Sequence, residues 1–262
     1  MTPSIPKQSV HDTFVIDDVI TELHVAVGIE NLLARIAPHC QSPDAATGRA
    51  NLLSECRGRI RAALVAMGDD DDTEHFACLV GHRVVCGSFA GASKLPVGKT
   101  IRAVVSKRSG VPVARGILSE ETGLIWANCI AGAKADRWAG FEMAFFVFCF
   151  TLVAETVCVF FLDTASLMTR LGMLASIAAM TGALCFVIGL VESRTSDPLT
   201  DPATDIFRKL GFADPGYVSL SAYRYCIVHP YKGMPTHDLT FEHGNIFCYK
   251  RAIEDGKLKL AQ

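Results

Sequence analysis

The chain has 262 residues, of which 50% are hydrophobic and 20% are charged, and its formal net charge is -2. This composition excludes a disordered chain, and a near-neutral balance without a basic stripe argues against nucleic-acid binding. Mean hydropathy is +0.30, raised mainly by residues 141–191. The polar first residues, which include Pro3 and Pro6, do not have the layout of a signal peptide.

The first segment, residues 1–67, is predicted to mix α and β structure. Apolar residues predict a strand over residues 19–27, and helical spacing predicts helices over residues 29–36 and 49–67. The acidic run at residues 69–72 follows. It lacks the spaced carboxylates and turn glycine of a calcium loop, so we interpret it as a solvated linker.

Residues 68–137 are predicted to form a small antiparallel β sheet or barrel. Short β-branched runs separated by glycines predict four strands, at residues 82–88, 100–106, 112–118 and 123–127. Ser109-Gly110 is typical of a hairpin turn. Gly87 and Gly91 are not followed by a phosphate-loop lysine, so neither nucleotide binding nor any cofactor is expected.

Residues 138–194 are predicted to form a transmembrane helical hairpin, which makes the chain an α+β membrane protein. Residues 143–162 and 171–191 are each long enough to cross a hydrocarbon core of about 30 Å. In the first segment, twelve Phe, Leu or Val residues favour insertion by about 4–7 kcal/mol, which exceeds a penalty of about 3 kcal/mol for Glu155.

Basic residues flank the hairpin mainly at its base. Lys134 and Arg137 precede the first segment beside the interfacial Trp138, and Arg194, Arg208 and Lys209 follow the second. The loop has only Arg170 against Asp163. The positive-inside rule therefore predicts a multi-pass protein of the inner (cytoplasmic) membrane, with both termini cytoplasmic.

Small residues recur at four-residue spacing along the second segment, a pattern that lets helix backbones approach closely in lipid. The alternative is simply an alanine-rich membrane helix. We predict a packing face, and through it a homo-oligomer. Its residues are Gly172, Ser176, Ala175, Ala179 and Ala183, and a further small pair is Ala178 and Gly182.

Glu155 is the one ionisable residue of the first segment, and ionisable residues inside membranes are usually functional. Thr151, Glu155 and Cys158 lie at i, i+4 and i+7, which predicts one narrow polar stripe. Ser176 and Thr181 of the partner helix lie near the same depth. Two interpretations stay open: a pore-lining or proton-carrying carboxylate, or a neutral carboxyl hydrogen-bonded to Ser or Thr within a static hairpin.

Residues 195–262 are predicted to form a small cytoplasmic α+β segment. Asp201-Pro202 predicts the start of a helix that Gly211 ends, and strands are predicted over residues 221–228 and 246–249. The segment also contains Cys226, His229, His237, His243 and Cys248, whose spacing matches no common zinc motif, so no metal site is expected.

Several stretches carry a family resemblance. Residues 79–89 and 95–105 resemble glycine-punctuated barrel strands, residues 124–129 a segment that leads into a membrane hairpin, and residues 205–212 an Ile-Phe helix. Together they resemble the type VI secretion system effectors sometimes called the ExIF family. Thr204 stands where that family has a glutamate. The resemblance supplies no catalytic residues.

Two functional hypotheses follow. The resemblance implies an effector-like membrane protein that inserts its hairpin, oligomerises and perturbs a target membrane. Its partners would be the lipid bilayer and a secretion-system or immunity protein. The alternative is a resident inner-membrane protein whose cytoplasmic domain binds a partner, with the hairpin as anchor. No catalytic motif is present in the sequence, so an enzyme is not expected.

Overall fold

A strand of 15 residues organises the sheet. The computed structural model describes residues 13–36, 50–68, 74–162, 166–225 and 245–261. The strands are β1 (Thr13–Val27), β2 (Glu74–Val80), β3 (Arg83–Ser88), β4 (Thr100–Arg108), β5 (Val111–Ser119), β6 (Leu124–Ala127) and β7 (Ile246–Cys248). The helices are α1 (Ile29–Ile36), α2 (Ala50–Glu55), α3 (Arg57–Val65), α4 (Ala133–Leu162), α5 (Leu167–Lys209) and α6 (Tyr249–Glu254).

Five of these strands close into a barrel. The long β1 pairs with β4 through its first half and with β2 through its second half, both antiparallel. The order is β3-β2-β1-β4-β5, and β3 pairs back onto β5 in parallel at Cys86 and Val113, which closes the ring. Closure pairs β3, which would otherwise be an edge strand, and open sheet edges favour aggregation. β6 and β7 continue the sheet outward from β5.

Large apolar side chains fill the barrel. Phe76 and Phe89 stack with their ring centroids 5.5 Å apart, and Trp126 is fully buried with its indole N–H donating to the Gly91 carbonyl. A Cβ at Gly87 would lie 2.7 Å from the Phe76 ring, closer than real Cβ contacts come. Glycine is therefore required at position 87 for these rings to fit.

Two further cores cover the outside of the barrel. On one side α1, α2 and α3 pack apolar residues such as Leu32 and Ile60 against Ala77 and Cys86 of the barrel wall. On the other side, the end of α5 and α6 pack against β4 to β7, with Phe207 at the centre. The fold is thus α+β, a closed five-stranded barrel between two helical layers.

The two longest helices leave the barrel together. α4 has 30 residues and α5 has 43. Ala133–Phe160 and Leu167–Val191 are long and apolar enough to cross a membrane, judged by length and composition. In an apolar 18-residue window of each stretch, only 6% is buried within the protein.

Several predicted elements are confirmed. The helix at residues 29–36 is α1, and the four predicted strands are β3 to β6 with ends within two residues. Ser109 and Gly110 have φ values of 50° and 78°, the pair of positive values that a type I′ hairpin turn requires. The predicted strand at residues 19–27 is the second part of the longer β1. The domain boundaries stay a prediction, although β1 and β2 to β5 share one sheet.

Other predicted elements are wrong. The single helix at residues 49–67 is two helices that meet at Cys56. No new helix begins at Asp201-Pro202, because α5 runs on to Lys209, where packing of Phe207 and Leu210 on the barrel outweighs the local proline signal.

The C-terminal strand predictions also need correction. In the described part of residues 221–228, Ser221–Tyr223 form a 3₁₀ turn closed by a 2.9 Å bond from the Tyr223 amide to the Leu220 carbonyl. Strand pairing of these described residues is limited to one isolated antiparallel bridge from Arg224 to Phe247. The strand predicted at residues 246–249 ends at Cys248, and Tyr249 starts α6.

Candidate functional site

Phenylalanines of α4 meet glycines of α5 where the two long helices pack. A Cβ at Gly182 would lie 3.3 Å from the Phe148 ring, and one at Gly189 would lie 3.2 Å from the Phe141 ring. Phe141, Phe148 and Glu155 are spaced seven residues apart, so they lie along one face of α4. This spacing is visible in the sequence and could have identified the face that contacts α5.

Glu155 lies on this face and contacts the opposite helix. Its Oε1 accepts a hydrogen bond of 2.8 Å from the hydroxyl of Thr181 on α5. Its Oε2 is buried and has no hydrogen-bond partner among the described residues. The structure therefore brings together Glu155 and Thr181, two residues that sequence analysis placed near the same depth.

The other members of the predicted polar stripe do not join Glu155 in one path. Thr151 donates to the carbonyl of Val147 on its own helix at 2.7 Å, and Cys158 is exposed on the outside of the hairpin. Ser176 likewise bonds within its own helix, to the Gly172 carbonyl at 3.0 Å. Of these residues, Glu155 and Thr181 form the side-chain pair that joins α4 to α5.

The predicted small-residue face points away from α4. Gly172, Ala175, Ser176, Ala179 and Ala183 are all exposed, and a Cβ at Gly172 would meet no described atom within 4 Å. The close approach within the hairpin uses Gly182, which belongs to the further small pair named from the sequence, and Gly189, which was not named. The predicted face is therefore not what holds the hairpin together, and its role in self-association stays a prediction.

The base of the hairpin is fixed by contacts between its two ends. The hydroxyl of Thr204, near the end of α5, accepts a bond of 3.0 Å from the amide of Ala133, the first residue of α4. A Cβ at Gly132 would clash with the carbonyl oxygen of Pro215. The backbone just before α4 is therefore in close contact with the loop that follows α5. Lys134 places its ammonium 4.8 Å from the centre of the Tyr217 ring.

An ion pair within α5 is hydrogen-bonded to the start of β1 and so holds the end of α5 on the barrel. Lys209 contacts Asp205 at 2.8 Å and donates to the carbonyl of Thr13 at the start of β1, whose hydroxyl donates to Asp205 at 3.0 Å. Burial alone would raise the pKa of Asp205, but the bonds from Lys209 and Thr13 and the charges of Lys209 and Arg208 outweigh it and lower the pKa. Sequence analysis missed the contact of Asp205 with β1, because Thr13 and Asp205 are 192 residues apart.

Cysteines and histidines form no metal cluster within the part of the chain that is described. Cys226, His229, His237 and His243, and the acidic run at residues 69–72, lie outside the described residues. Cys248 is buried in β7. Burial raises the pKa of Cys86 to about 12 and likewise that of Cys129, so both thiols are poor nucleophiles.

The class that these features define is an α+β protein with a closed β-barrel and two long apolar helices that pack through a glycine-lined contact. Comparison with protein-family models, with curated proteins and with solved structures gives no match for this chain. Function is therefore inferred from the fold and from the geometry of the hairpin.

Proposed function

We propose that this chain is a two-pass protein of the inner membrane, in which the hairpin spans the bilayer and holds the barrel at the cytoplasmic face as a binding module. One observation carries the proposal. α5 continues from an apolar stretch, Leu167–Val191, into a final turn whose Phe207 and Leu210 are buried on the barrel. One helix, α5, thus contains both the proposed membrane segment and the side chains that pack on the barrel.

The exposure of the hairpin supports insertion. Phe146 and Phe150 of α4 are 72% and 73% exposed, and Met180 of α5 is 75% exposed. In water, two helices of such residues would form an apolar surface far larger than soluble monomers carry. In a bilayer the same side chains lie in hydrocarbon, where they favour insertion.

Charge at the two ends of the hairpin supports its orientation. Lys134 and Arg137 lie in the first turns of α4, and Arg208 and Lys209 lie at the end of α5, beside the barrel. At the tip, Arg170 bonds to the carbonyl of Phe160. The larger number of cations at the base favours a cytoplasmic barrel and a loop on the opposite side.

A second candidate is the effector-like function, in which the hairpin oligomerises and perturbs a target membrane. The buried Oε2 of Glu155, which has no partner among the described residues, favours it, because an unsatisfied carboxyl within a membrane often faces a wet path. The resemblance of residues 79–105 and 205–212 to type VI secretion effectors supports the same candidate, with a secretion-system or immunity protein as partner.

Inducible expression with a membrane-potential dye separates the two candidates. An anchored module should resist extraction by carbonate and leave the potential unchanged. An effector should depolarise the cell, and Glu155→Gln should reduce this effect, because the amide keeps the size but loses the charge. Glu121→Gln, the same change on the exposed barrel surface, is the matched control. Recovery of wild-type protein in the soluble fraction would contradict both candidates.

A further inference from the structure

Three arginines converge at the end of the barrel where β4 turns into β5. Arg59 of α3 lies against this turn, because its Cδ would be 3.4 Å from a Cβ added at Gly110. Arg108 precedes the turn and donates a bond of 2.6 Å to the carbonyl of Ala66, at the end of α3. Arg115 belongs to β5. This arginine cluster, Arg59, Arg108 and Arg115, thus combines side chains from a helix and from two strands.

A β-bulge sets the position of Arg115. The register of β4 against β5 shifts between Val104 and Val105, and Arg115 is the extra residue at that step. Bulges turn a side chain in a new direction and are frequent next to functional sites. The Nε of Arg115 donates to the Ser106 hydroxyl at 3.0 Å. Because Ser106 and Arg108 are two residues apart on β4, they share one face, and Arg115 comes beside Arg108.

The positive charge of the cluster has no carboxylate partner. Burial, and then the charge of Arg108, lower the pKa of Arg115, so the two cations are close enough to repel each other. The end of α3 at Ala66 favours the charge of Arg108 but takes only one of its several N–H donors. None of the three arginines forms an ion pair within the part of the chain that is described.

The acids nearest to the cluster are used elsewhere or stay apart from it. On α3 itself, Arg61 pairs with Glu30 at 2.8 Å. Glu55 precedes Arg59 by four residues but forms no described ion pair with it. Asp205 is held by basic residues of its own helix, at 2.8 and 3.4 Å. A protein with a formal net charge of -2 therefore keeps three unbalanced cations together at one place.

We propose that the arginine cluster binds a phosphate monoester group. Such a group carries a charge of about -1.5 to -2, which three cations complement better than they complement a single carboxylate. Guanidinium groups also match phosphate oxygens with two parallel hydrogen bonds. The site lies on the barrel and does not depend on insertion of the hairpin. The phosphate can belong to a soluble molecule or to a lipid headgroup, and the experiment separates these sources.

Titration calorimetry with inorganic phosphate tests the inference on the full chain in a neutral detergent at low salt. We expect saturable binding of phosphate, and none of acetate at the same ionic strength. Arg59→Gln should weaken binding at least about tenfold, the effect of losing one charge-assisted hydrogen bond. Arg61→Gln is the matched control on the same helix and should leave binding unchanged, because Arg61 is paired with Glu30.

Thermal unfolding separates a ligand site from a structural role. Arg108→Gln keeps a donor for the Ala66 carbonyl but removes the charge that repels Arg115. It should leave the Tm without phosphate unchanged or raise it, and it should abolish the rise in Tm that phosphate gives to the wild type. A variant with a lower Tm, beside a wild type that phosphate does not stabilise, would show that the arginines are only structural.

Nanodiscs identify the source of the phosphate group. If phosphatidic acid in the nanodisc abolishes the heat of phosphate binding that is seen in phosphatidylcholine, the site takes a lipid phosphate, and if the heat is unchanged, it takes a soluble one. Protein that does not enter nanodiscs would contradict the proposed function and leave the titration in detergent as the test.

Two results would overturn the inference. Equal, non-saturating heats from phosphate and acetate would show an ordinary ionic atmosphere around the arginines. The acidic run at residues 69–72 lies outside the described residues, close in sequence to Ala66. Phosphate binding that appears only after these four aspartates are changed to asparagine would show that carboxylates of the chain itself neutralise the cluster.

Discussion

The barrel and the hairpin contain the same kinds of apolar side chain in opposite surroundings. Phe76 and Phe89 in the barrel are fully buried, whereas Phe145, Phe146 and Phe150 in the hairpin are 67% to 73% exposed. The barrel encloses a hydrophobic core, and other protein atoms shield its aromatic residues from water. The hairpin has no such interior, and under the proposed insertion its stability would come from the hydrocarbon around it.

The two regions nevertheless use the same packing device. In the barrel, Gly87 leaves space for the ring of Phe76, and in the hairpin Gly182 and Gly189 leave space for Phe148 and Phe141. The contact is tighter in the barrel, where an added Cβ would be 2.7 Å from the ring rather than 3.2 to 3.3 Å. In both regions, therefore, a glycine allows an aromatic ring to lie close to the backbone of a neighbouring element.

The largest expected effect is a difference in thiol labelling between the hairpin loop and the barrel, which we place on opposite sides of the membrane. A cysteine at Ser166, the N-cap of α5, should react with an impermeant thiol reagent added outside the cell, in a background without the accessible native thiols. A cysteine at Glu121 on the barrel surface should react only after lysis, because we place the barrel in the cytoplasm. Labelling of Glu121→Cys in intact cells would reverse the orientation.

Replacing a phenylalanine with alanine should change the free energy of unfolding far more in the barrel than in the hairpin. Phe76→Ala should lower the free energy of unfolding of the barrel by about 3–5 kcal/mol, because it removes a fully buried ring. Phe146→Ala, at a position that is 72% exposed, should change it by less than about 0.5 kcal/mol. Denaturant unfolding in detergent, followed by near-ultraviolet circular dichroism, gives both values. Similar losses would mean that α4 is packed against protein.

Glycine replacements test how the hairpin holds together. Gly182→Val should destabilise it by about 1–3 kcal/mol, since the new side chain meets Phe148, whereas Gly172→Val should not. Titration with a denaturing detergent, followed by far-ultraviolet circular dichroism, measures the difference. Ala179→Leu should spare the hairpin but weaken self-association if the outward face packs against a second copy. Equal effects of both glycine variants would rule out the Gly182 contact.

The smallest effect concerns the ion pair of Asp205 and Lys209 at the end of α5, which is hydrogen-bonded to Thr13 of the barrel. Because the pKa of Asp205 is lowered on folding, its ionised form stabilises the protein above the ordinary pKa of 3.8, and this contribution is lost as the pH falls through the lowered value. With its side chain 26% exposed, we expect about 1 kcal/mol. Asp205→Asn should flatten the stability profile between neutral pH and pH 3, and an unchanged slope would contradict the assignment.

The sequence predicted elements whose pattern is local. β3 to β6 show short β-branched runs between turn glycines, and α1 has a clear apolar face. β2 was not predicted, because its residues from His75 to Val80 are all buried, one side in the barrel and the other under α1 to α3. A strand buried on both faces has no alternation to detect. α6 is only six residues long and follows directly on β7, so its period was too short to recognise.

The sequence predicted which residues of α4 and α5 lie at the same depth along the hairpin, but it did not predict which face of α5 contacts α4. Counting from the hairpin loop placed Thr181 near Glu155, and the two side chains are in contact. The outward direction of Ala175, Ala179 and Ala183 was not predictable, because small-residue spacing exists on more than one face of α5 and does not say which face meets α4. The hydrogen bond from the amide of Ala133, at the start of α4, to Thr204 of α5 joins residues far apart in the chain, so no local pattern indicates it.

The unbroken course of α5 has a mechanical consequence. From Val191 to Lys209 the helix extends about 27 Å at about 1.5 Å per residue. Because its end is packed on the barrel, a tilt of the helix moves the barrel with it. If α5 lies in a bilayer as proposed, a change in tilt of roughly 10°, well within the range that bilayer thickness imposes, swings that end by about 5 Å. The thickness of the membrane would then set the angle at which the barrel meets its surroundings.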